Sequence, residues 1–110
     1  MPDYDAFFNG NWIPYSEVSI SPSDRGFSVG DLVFEVERTF NGVPFMLTEH
    51  LDRLYRSLKY VRMDALMTAS EMAELVVEGV SRASYSLENV GEFSLRQVVT
   101  RGAVDLFDNP

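Results

Sequence analysis

Two Asn-Gly pairs divide the first half of this chain into short segments that must reverse direction. Asn9-Gly10 stands between two aromatic-rich runs in residues 6–14, and Asn41-Gly42 separates residues 32–40 from the run "VPFML". Asn-Gly favours the left-handed backbone conformations that a two-residue hairpin turn requires. The sequence therefore predicts two β-hairpins, with Pro44 placing the short return strand of the second one at a sheet edge.

An apolar stripe in the middle of the chain predicts a helix over residues 47–61, with Thr48 as its expected N-cap. The stripe consists of Leu47, Leu51, Leu54, Tyr55, Leu58 and Val61. A second helix is predicted from Thr68, because "TASE" is a capping box in which Glu71 reaches back to the helix start. Its predicted buried face consists of Met72, Leu75, Val76, Val80 and Ala83.

The remaining segments complete a single α+β layer. Residues 19–31, "SISPSDRGFSVGD", are rich in turn formers and are interpreted as a loop, while residues 93–101 return to strand character before Gly102. Strands, two helices and a final strand follow one another along the chain. This order predicts a mainly antiparallel sheet with two helices packed on it.

Composition excludes several classes of function. A length of 110 residues with 45% apolar composition suits one domain. Because the chain has no cysteine and a single histidine, it can form neither a disulfide framework nor the thiolate or imidazole cluster of a structural zinc site. A formal charge of -8 argues against binding to nucleic acid, which requires clustered Lys and Arg. Neither a membrane span of roughly 20 apolar residues nor a signal peptide is present, so we expect a cytoplasmic protein.

Two polar residues flank the apolar stripe of the first long helix. His50 and Arg53 lie together on one shoulder of the stripe, bordering the sheet. Near a helix N-terminus, a guanidinium favours an anionic group, phosphate above all. The alternative from spacing alone is an exposed ion pair between Arg53 and Glu49, worth roughly 0.3 to 0.5 kcal/mol.

Two further arginines occupy strand positions. Arg38 shares a strand face with Phe34, Val36 and Phe40, so it needs either a nearby carboxylate or an anionic ligand. Arg96 alternates in step with residues 94, 98 and 100 of the last strand, which without further information indicates a solvated face.

Four segments, taken in order, resemble the first domain of the fold type IV pyridoxal phosphate enzymes. They are "FFNGNWIP", "DRGFSVGDLVFEVERTFNG", "PFMLTEHLDRLYRSLKYVRMD" and "RQVVTRG". These enzymes are the class IV aminotransferases, which include branched-chain and D-amino acid aminotransferases and aminodeoxychorismate lyase. The resemblance extends from about residue 7 to residue 102.

The resemblance implies roles for individual residues. Arg53 matches the arginine that binds the phosphate of pyridoxal 5'-phosphate, and Phe34 matches an aromatic position that lines the substrate pocket. Arg38 and Arg96 match positions where branched-chain enzymes often carry an arginine near the substrate. Val29 and Ser94 stand where tyrosines are common, and these departures weaken the case for a branched-chain substrate. The implied substrates are small molecules, namely amino acids and oxo acids.

The chemistry of this family requires a lysine that forms a Schiff base with the cofactor. Lys59 is the single lysine of the chain, and it lies six residues after Arg53, about 120° around the helix. The resemblance places the Schiff-base lysine in a second domain. We therefore expect residues 1–110 to be the N-terminal small domain of a homodimeric aminotransferase, with no catalytic residue of its own and no activity alone.

Two other functions are compatible with the same residues. One is a lyase of the aminodeoxychorismate type within the same family, and the other is a non-catalytic binding or dimerisation module with this fold. If a second domain is absent, one side of the sheet should be exposed and apolar and should favour self-association.

Overall fold

The computed structural model of the protein describes residues 4–86 and 91–103. Residues 105–110, where the family resemblance places the start of an interdomain linker, lie outside this part of the chain. Within these residues, five strands and three α-helices follow one another in the order β1 Asp5–Phe8, β2 Asn11–Pro14, α1 Arg25–Val29, β3 Leu32–Phe40, β4 Val43–Pro44, α2 Leu47–Val61, α3 Ala69–Ser86 and β5 Ser94–Thr100, and a short 3-10 helix, Tyr15–Glu17, follows β2. The predicted α+β class is confirmed.

Both predicted hairpins are present, and their turns have the conformation that Asn-Gly favours. Asn9 and Gly10 have φ angles of 49° and 93°, and Asn41 and Gly42 have φ angles of 52° and 75°. The strands form two separate antiparallel sheets rather than one, with the order β1-β2 in the first and β4-β3-β5 in the second. The first hairpin packs on α3, where the guanidinium of Arg82 lies 4.4 Å from the ring of Trp12.

The second sheet has one face under the helices and one face open to solvent. In β3 the buried positions are Glu35, Glu37 and Thr39, whereas the residues between them are exposed. β5 extends the exposed face, because Val36 lies opposite Arg96 and Phe34 lies opposite Val98. We refer to the exposed side as the open face; it consists of Phe34, Val36, Arg38 and Phe40 of β3 and Ser94, Arg96 and Val98 of β5.

The core forms where the apolar stripe of α2 meets the sheet and α3. Leu51, Leu54 and Leu58 are buried together with Met72 of α3, as the stripe predicts. The capping box is also confirmed: Glu71 Oε1 accepts from the Thr68 amide at 2.9 Å, and Thr68 Oγ1 accepts from the Glu71 amide at 3.1 Å.

The expected N-cap of α2 is wrong. The helix begins one residue before Thr48, and its N-cap is Met46, which has a left-handed backbone and makes no side-chain capping bond. The backbone amide of Phe45 still pairs with the Arg38 carbonyl at 2.8 Å, so the hairpin continues almost to the helix. Thr48 consequently falls inside the first turn.

The segment interpreted as a loop contains the short helix α1. Asp24 caps this helix by accepting from the Gly26 amide at 2.9 Å, and Gly30 ends it with a φ angle of 73°. Gly26 is buried so close to β5 that a Cβ atom there would lie 2.6 Å from Cγ2 of Thr100. Asp24 also accepts from the hydroxyl of Thr100 at 2.9 Å, so α1 is fixed to the end of β5.

Arg101, which follows β5, joins the sheet to the C-terminal end of α2. Its guanidinium donates to the carbonyl of Val61 at 2.8 Å and to that of Arg62 at 3.2 Å. The same side chain donates to Asp31 at 2.7 Å, and Arg25 donates to that carboxylate oxygen at 3.0 Å. Guanidinium groups at helix C-termini satisfy carbonyls that lack intrahelical partners.

None of the helices in residues 4–86 and 91–103 has the length and apolar character needed to span a lipid bilayer. The same residues contain no group of three or more His, Cys, Asp or Glu side chains arranged to hold a metal ion.

Candidate functional site

Arg53 of α2 forms a two-point ion pair with Glu35 of β3. Its Nε donates to Oε2 at 2.5 Å and its Nη2 donates to Oε1 at 2.8 Å. The two side chains differ sharply in exposure, with 62% of Arg53 and 7% of Glu35 accessible to solvent. The alternative in which Arg53 pairs with Glu49 is therefore wrong, because the partner comes from the strand beneath the helix.

His50 completes this cluster from one turn earlier in α2. Its Nδ1 lies 2.8 Å from Oε1 of Glu35, the oxygen that also accepts from Nη2 of Arg53. Hydrogen bonds from Arg53, and next from His50, lower the pKa of Glu35 to about 2 against the opposing effect of burial. The same carboxylate raises the pKa of Arg53. Both groups are thus ionised at neutral pH.

The ion pair leaves Arg53 able to bind an anion. A guanidinium carries five N–H donors in one plane, and two of them point at Glu35, so three remain on its other edges. The exposed side chain makes these donors accessible, and a planar fork of this kind suits the oxygens of a phosphate. Because α2 begins at Leu47, Arg53 lies in its second turn, where the helix dipole contributes little.

The other predicted site residues, Phe34, Arg38 and Arg96, lie together on the open face. Arg38 lies 4.0 Å above the ring of Phe40, and Arg96 lies 4.9 Å above the ring of Phe34. Arg38 also donates from Nε to the carbonyl of Thr39 at 3.0 Å. Both guanidinium groups thus lie against aromatic rings on an otherwise apolar surface.

No carboxylate contacts either of these two arginines in the part of the chain that the structure describes. Arg38 lowers the pKa of Glu92 from a distance, as the smallest of several causes, but the carboxylate of Glu92 is hydrogen-bonded to Thr39 and to the amide of Asn41 instead. The alternative in which Arg38 forms an ion pair with a carboxylate is therefore wrong for the described residues. Both guanidinium groups remain available to an anionic ligand.

The structure separates Arg53 from these three residues by the thickness of the sheet. β3 carries Glu35 on the helix side and Phe34, Val36 and Arg38 on the open face. Along one edge β3 pairs with β5, but along the other edge β4 pairs only with Thr39 and Phe40. Among the described residues, this edge has no strand partner beside residues 32–37. A ligand in contact with both sides of β3 would pass along that edge.

Glu35 is the functional candidate that the sequence did not predict. Successive side chains of a strand point to opposite faces, and the structure accordingly buries Glu35 and Glu37 on the side opposite Arg38, but the spacing gives no partner for either glutamate. Two signals taken together could have found it. The helical stripe of α2 and the alternation of β3 place the leucines and Glu35 on the same side of the sheet. A carboxylate on a helix-covered strand face needs a cation at the helix border, and Arg53 occupies that border.

Comparison with known proteins identifies the family. A family model described as "Amino-transferase class IV" matches residues 32–108. The chain belongs to the class IV aminotransferases. This membership confirms the family resemblance of the sequence, and the matched residues include the ion pair between Glu35 and Arg53 as well as Phe34, Arg38 and Arg96.

Individual members of the family show the same similarity. The chain is 38% identical over 104 residues to a provisionally named branched-chain-amino-acid aminotransferase of Methanocaldococcus jannaschii, covering 94% of this chain and 34% of that protein. It is 31% identical over 99 residues to the D-alanine aminotransferase of Staphylococcus aureus strain N315, covering 90% of this chain and 33% of that protein. The chain spans about a third of the length of the curated relatives that it matches.

The fold is that of the N-terminal part of the solved fold IV transaminases. The T.th. branched-chain amino acid aminotransferase, complexed with N-(5'-phosphopyridoxyl)-L-glutamate, superposes with a TM-score of 0.81 at 28% identity. The superposition covers 96% of this chain and 35% of that enzyme. A fold IV transaminase from Curtobacterium pusillum superposes with a TM-score of 0.76 at 26% identity, covering 84% of this chain and 32% of that enzyme.

Proposed function

We propose that residues 1–110 form the N-terminal small domain of a pyridoxal phosphate-dependent aminotransferase, in which Arg53 binds the phosphate of the cofactor. The enzyme would transfer an amino group between an amino acid or amine and a 2-oxo acid. The observation that carries the proposal is the geometry of Arg53, whose guanidinium is held on one edge by Glu35 and is exposed on the others. Membership of the class IV aminotransferases supports the choice of cofactor.

The open face supplies the substrate side of this proposal. Pyridoxal phosphate acts, when bound, as the electron sink that makes amino transfer possible. Arg38 and Arg96 pair with no carboxylate among the described residues, so they are suited to bind the carboxylate that amino acids and 2-oxo acids share. The exposed ring of Phe34 lies beside Arg96 and offers an apolar wall for a side chain. These residues would bind and orient the substrate, while Arg53 would anchor the cofactor.

Lys59 is not suited to react with a cofactor held by Arg53. It is exposed on α2, and it lies roughly 9 Å farther along the helix axis, where it borders a groove with Tyr55, Arg62 and Met63. The family resemblance implies that the Schiff-base lysine belongs to a second domain, and we adopt that assignment. As part of the same proposal, the complete enzyme is a homodimer, as the family resemblance implies, and it is located in the cytoplasm.

Substitution of Arg53 in the full-length gene product tests the assignment. Losing a charge-assisted phosphate contact costs roughly 1.5 to 3 kcal/mol, so we expect Arg53→Ala to weaken pyridoxal phosphate binding about 10- to 150-fold. Cofactor affinity is measured by absorbance titration of the apoprotein. Arg56→Ala is the matched control, because Arg56 is exposed on the same helix one turn away and should leave the affinity unchanged.

A second assay follows amino transfer from D- and L-alanine and from branched-chain amino acids to 2-oxoglutarate. Excess cofactor should restore activity to the Arg53→Ala variant if the substitution acts through cofactor binding. Cofactor affinity that is the same in Arg53→Ala, Arg56→Ala and the unmodified protein would remove the phosphate assignment.

A further inference from the structure

We propose that Glu35 is a positioning residue, which fixes the guanidinium of Arg53 in the orientation that binds the anion before the anion arrives. This inference rests on the proposed role of Arg53 and adds a second residue to the phosphate site. Glu35 itself does not contact the anion in this scheme. It acts through the side chain that does.

Stability alone does not require a carboxylate at position 35. The side chain of Glu35 is 7% exposed on a sheet face that α2 covers with leucines. A carboxylate in such a place loses its hydration, and an apolar residue of similar volume often serves the fold as well or better. The distinctive consequence of the carboxylate is the two-point contact with Arg53, so that contact is where a function should be sought.

The contact restrains the one part of Arg53 that an anion would use. An exposed arginine on a helix normally samples many rotamers, and ordering it on binding has an entropic cost. Here Nε and Nη2 are both held by a carboxylate, which fixes the plane of the guanidinium and the direction of its remaining donors. His50 holds Oε1 of the same carboxylate at 2.8 Å, so Glu35 is itself fixed from a second direction.

An opposing effect must be separated from positioning. The negative charge of Glu35 repels a bound phosphate, so removing the charge would strengthen binding while loss of positioning would weaken it. The repulsion acts whether or not Arg53 is present, whereas positioning requires Arg53. A double-mutant cycle therefore isolates positioning, because the repulsion is common to both backgrounds and cancels.

The experiment compares Glu35→Gln with the unmodified residue in two backgrounds of the full-length protein, one with Arg53 and one with Arg53→Ala. The probes are pyridoxal phosphate and inorganic phosphate, and the readout is the dissociation constant. We expect Glu35→Gln to raise the dissociation constant by a factor that is about three- to tenfold larger in the Arg53 background than in the Arg53→Ala background. This ratio corresponds to the cost of ordering one long side chain. Glu37→Gln is the matched control, since Glu37 is buried two residues away on the same strand face and accepts its hydrogen bond from Gln97 rather than from Arg53.

Glu35→Met provides a second variant whose folding does not depend on a buried polar group. Freed Arg53 remains mostly exposed in this variant and can be solvated, so the protein should fold and show the same coupling. The role of Glu35 would be overturned if the effect of both Glu35 variants on the dissociation constant differed by less than twofold between the two backgrounds. If Arg53→Ala still weakened binding in that case, the proposed function would stand. If Arg53→Ala has no effect on either probe, the proposed function and this inference both fail.

Discussion

The side-chain amide of Gln97 donates to Oε1 of Glu37 at 2.6 Å beneath the helices. Within the described residues, the other carboxyl oxygen of Glu37 and the amide oxygen of Gln97 are both buried without a hydrogen-bond partner. Burial raises the pKa of Glu37 above its usual value of 4.5, against the hydrogen bond from Gln97. Neighbouring glutamates on the same face of β3 thus have opposite shifts, because Glu35 is hydrogen-bonded to an arginine and Glu37 to an uncharged amide.

We expect Glu37→Gln to stabilise the protein at neutral pH by about 1 kcal/mol, because it removes a buried charge and offers a donor to Gln97. The folded state of the unmodified protein favours the protonated form of Glu37. The contribution of Glu37 to the free energy of unfolding is therefore complete below pH 4.5 and is lost as the pH rises through the raised pKa. The free energy of unfolding, measured with urea at pH 4 and pH 7.5, should therefore differ between the two proteins mainly at pH 7.5. A substitution that destabilises the protein equally at both values would contradict this interpretation.

Glu35 should have the opposite dependence on pH. Its pKa in the fold is about 2, below its usual value of 4.5, so its stabilising contribution is complete above pH 4.5 and is lost as the pH falls toward 2. In Arg53→Ala the largest cause of the shift is removed, and the carboxyl pKa should move toward 4.5. Carbon-detected NMR titration of the Glu35 carboxyl group measures this change, and acid unfolding of the variant should begin at a higher pH.

The two threonines near the helix starts should differ in their effect on stability. Thr68→Ala removes the hydroxyl that accepts from the Glu71 amide, and it should lower the free energy of unfolding by about 1 kcal/mol. Thr48→Ala lies inside the first turn of α2, where alanine is the better helix former, so it should be neutral or slightly stabilising. Equal losses in thermal or urea unfolding would show that Thr48 caps α2 after all.

Two glycine substitutions should change the free energy of unfolding in opposite directions. Gly26→Ala would place a Cβ atom 2.6 Å from Thr100 Cγ2, so we expect a loss of about 1 to 3 kcal/mol. Gly79→Ala, in the middle of α3, would place its Cβ atom 3.5 Å from Trp12, which is ordinary contact, and should gain about 0.5 to 1 kcal/mol in helix propensity. Thermal unfolding of the two variants side by side gives the comparison.

Local signals predicted the elements whose ends are marked by strong turn and capping residues. β3 runs over residues 32–40, as predicted from its alternation and the following Asn-Gly, and the capping box at Thr68 starts α3. Helix α1 was missed because its five residues are too few to show an apolar period. Its ends nevertheless carried the signal of an aspartate N-cap and a left-handed glycine.

The individual residues of the candidate site were predictable from the sequence, but the contact between Arg53 and Glu35 was not. Sequence and resemblance together singled out Arg53, Phe34, Arg38 and Arg96, and the structure brings the last three onto one face. The pairing of Arg53 with Glu35 depends on where α2 crosses β3, and no local pattern fixes that crossing. A residue in a strand and a residue in a helix meet through packing, which the alternation and the helical period describe only separately.

Arg101 gives the position of Arg53 a second support. The hydrogen bonds from Arg101 to the carbonyls of Val61 and Arg62 attach the C-terminal end of α2 to the end of β5. The ion pair between Arg53 and Glu35 attaches the N-terminal half of α2 to β3. A rod held to the same base at two places along its length has no free rotation about either of them. Any movement that carried Arg53 away from β3 would first have to break one of these links, so the half of the domain that carries Arg53 should move as one rigid unit.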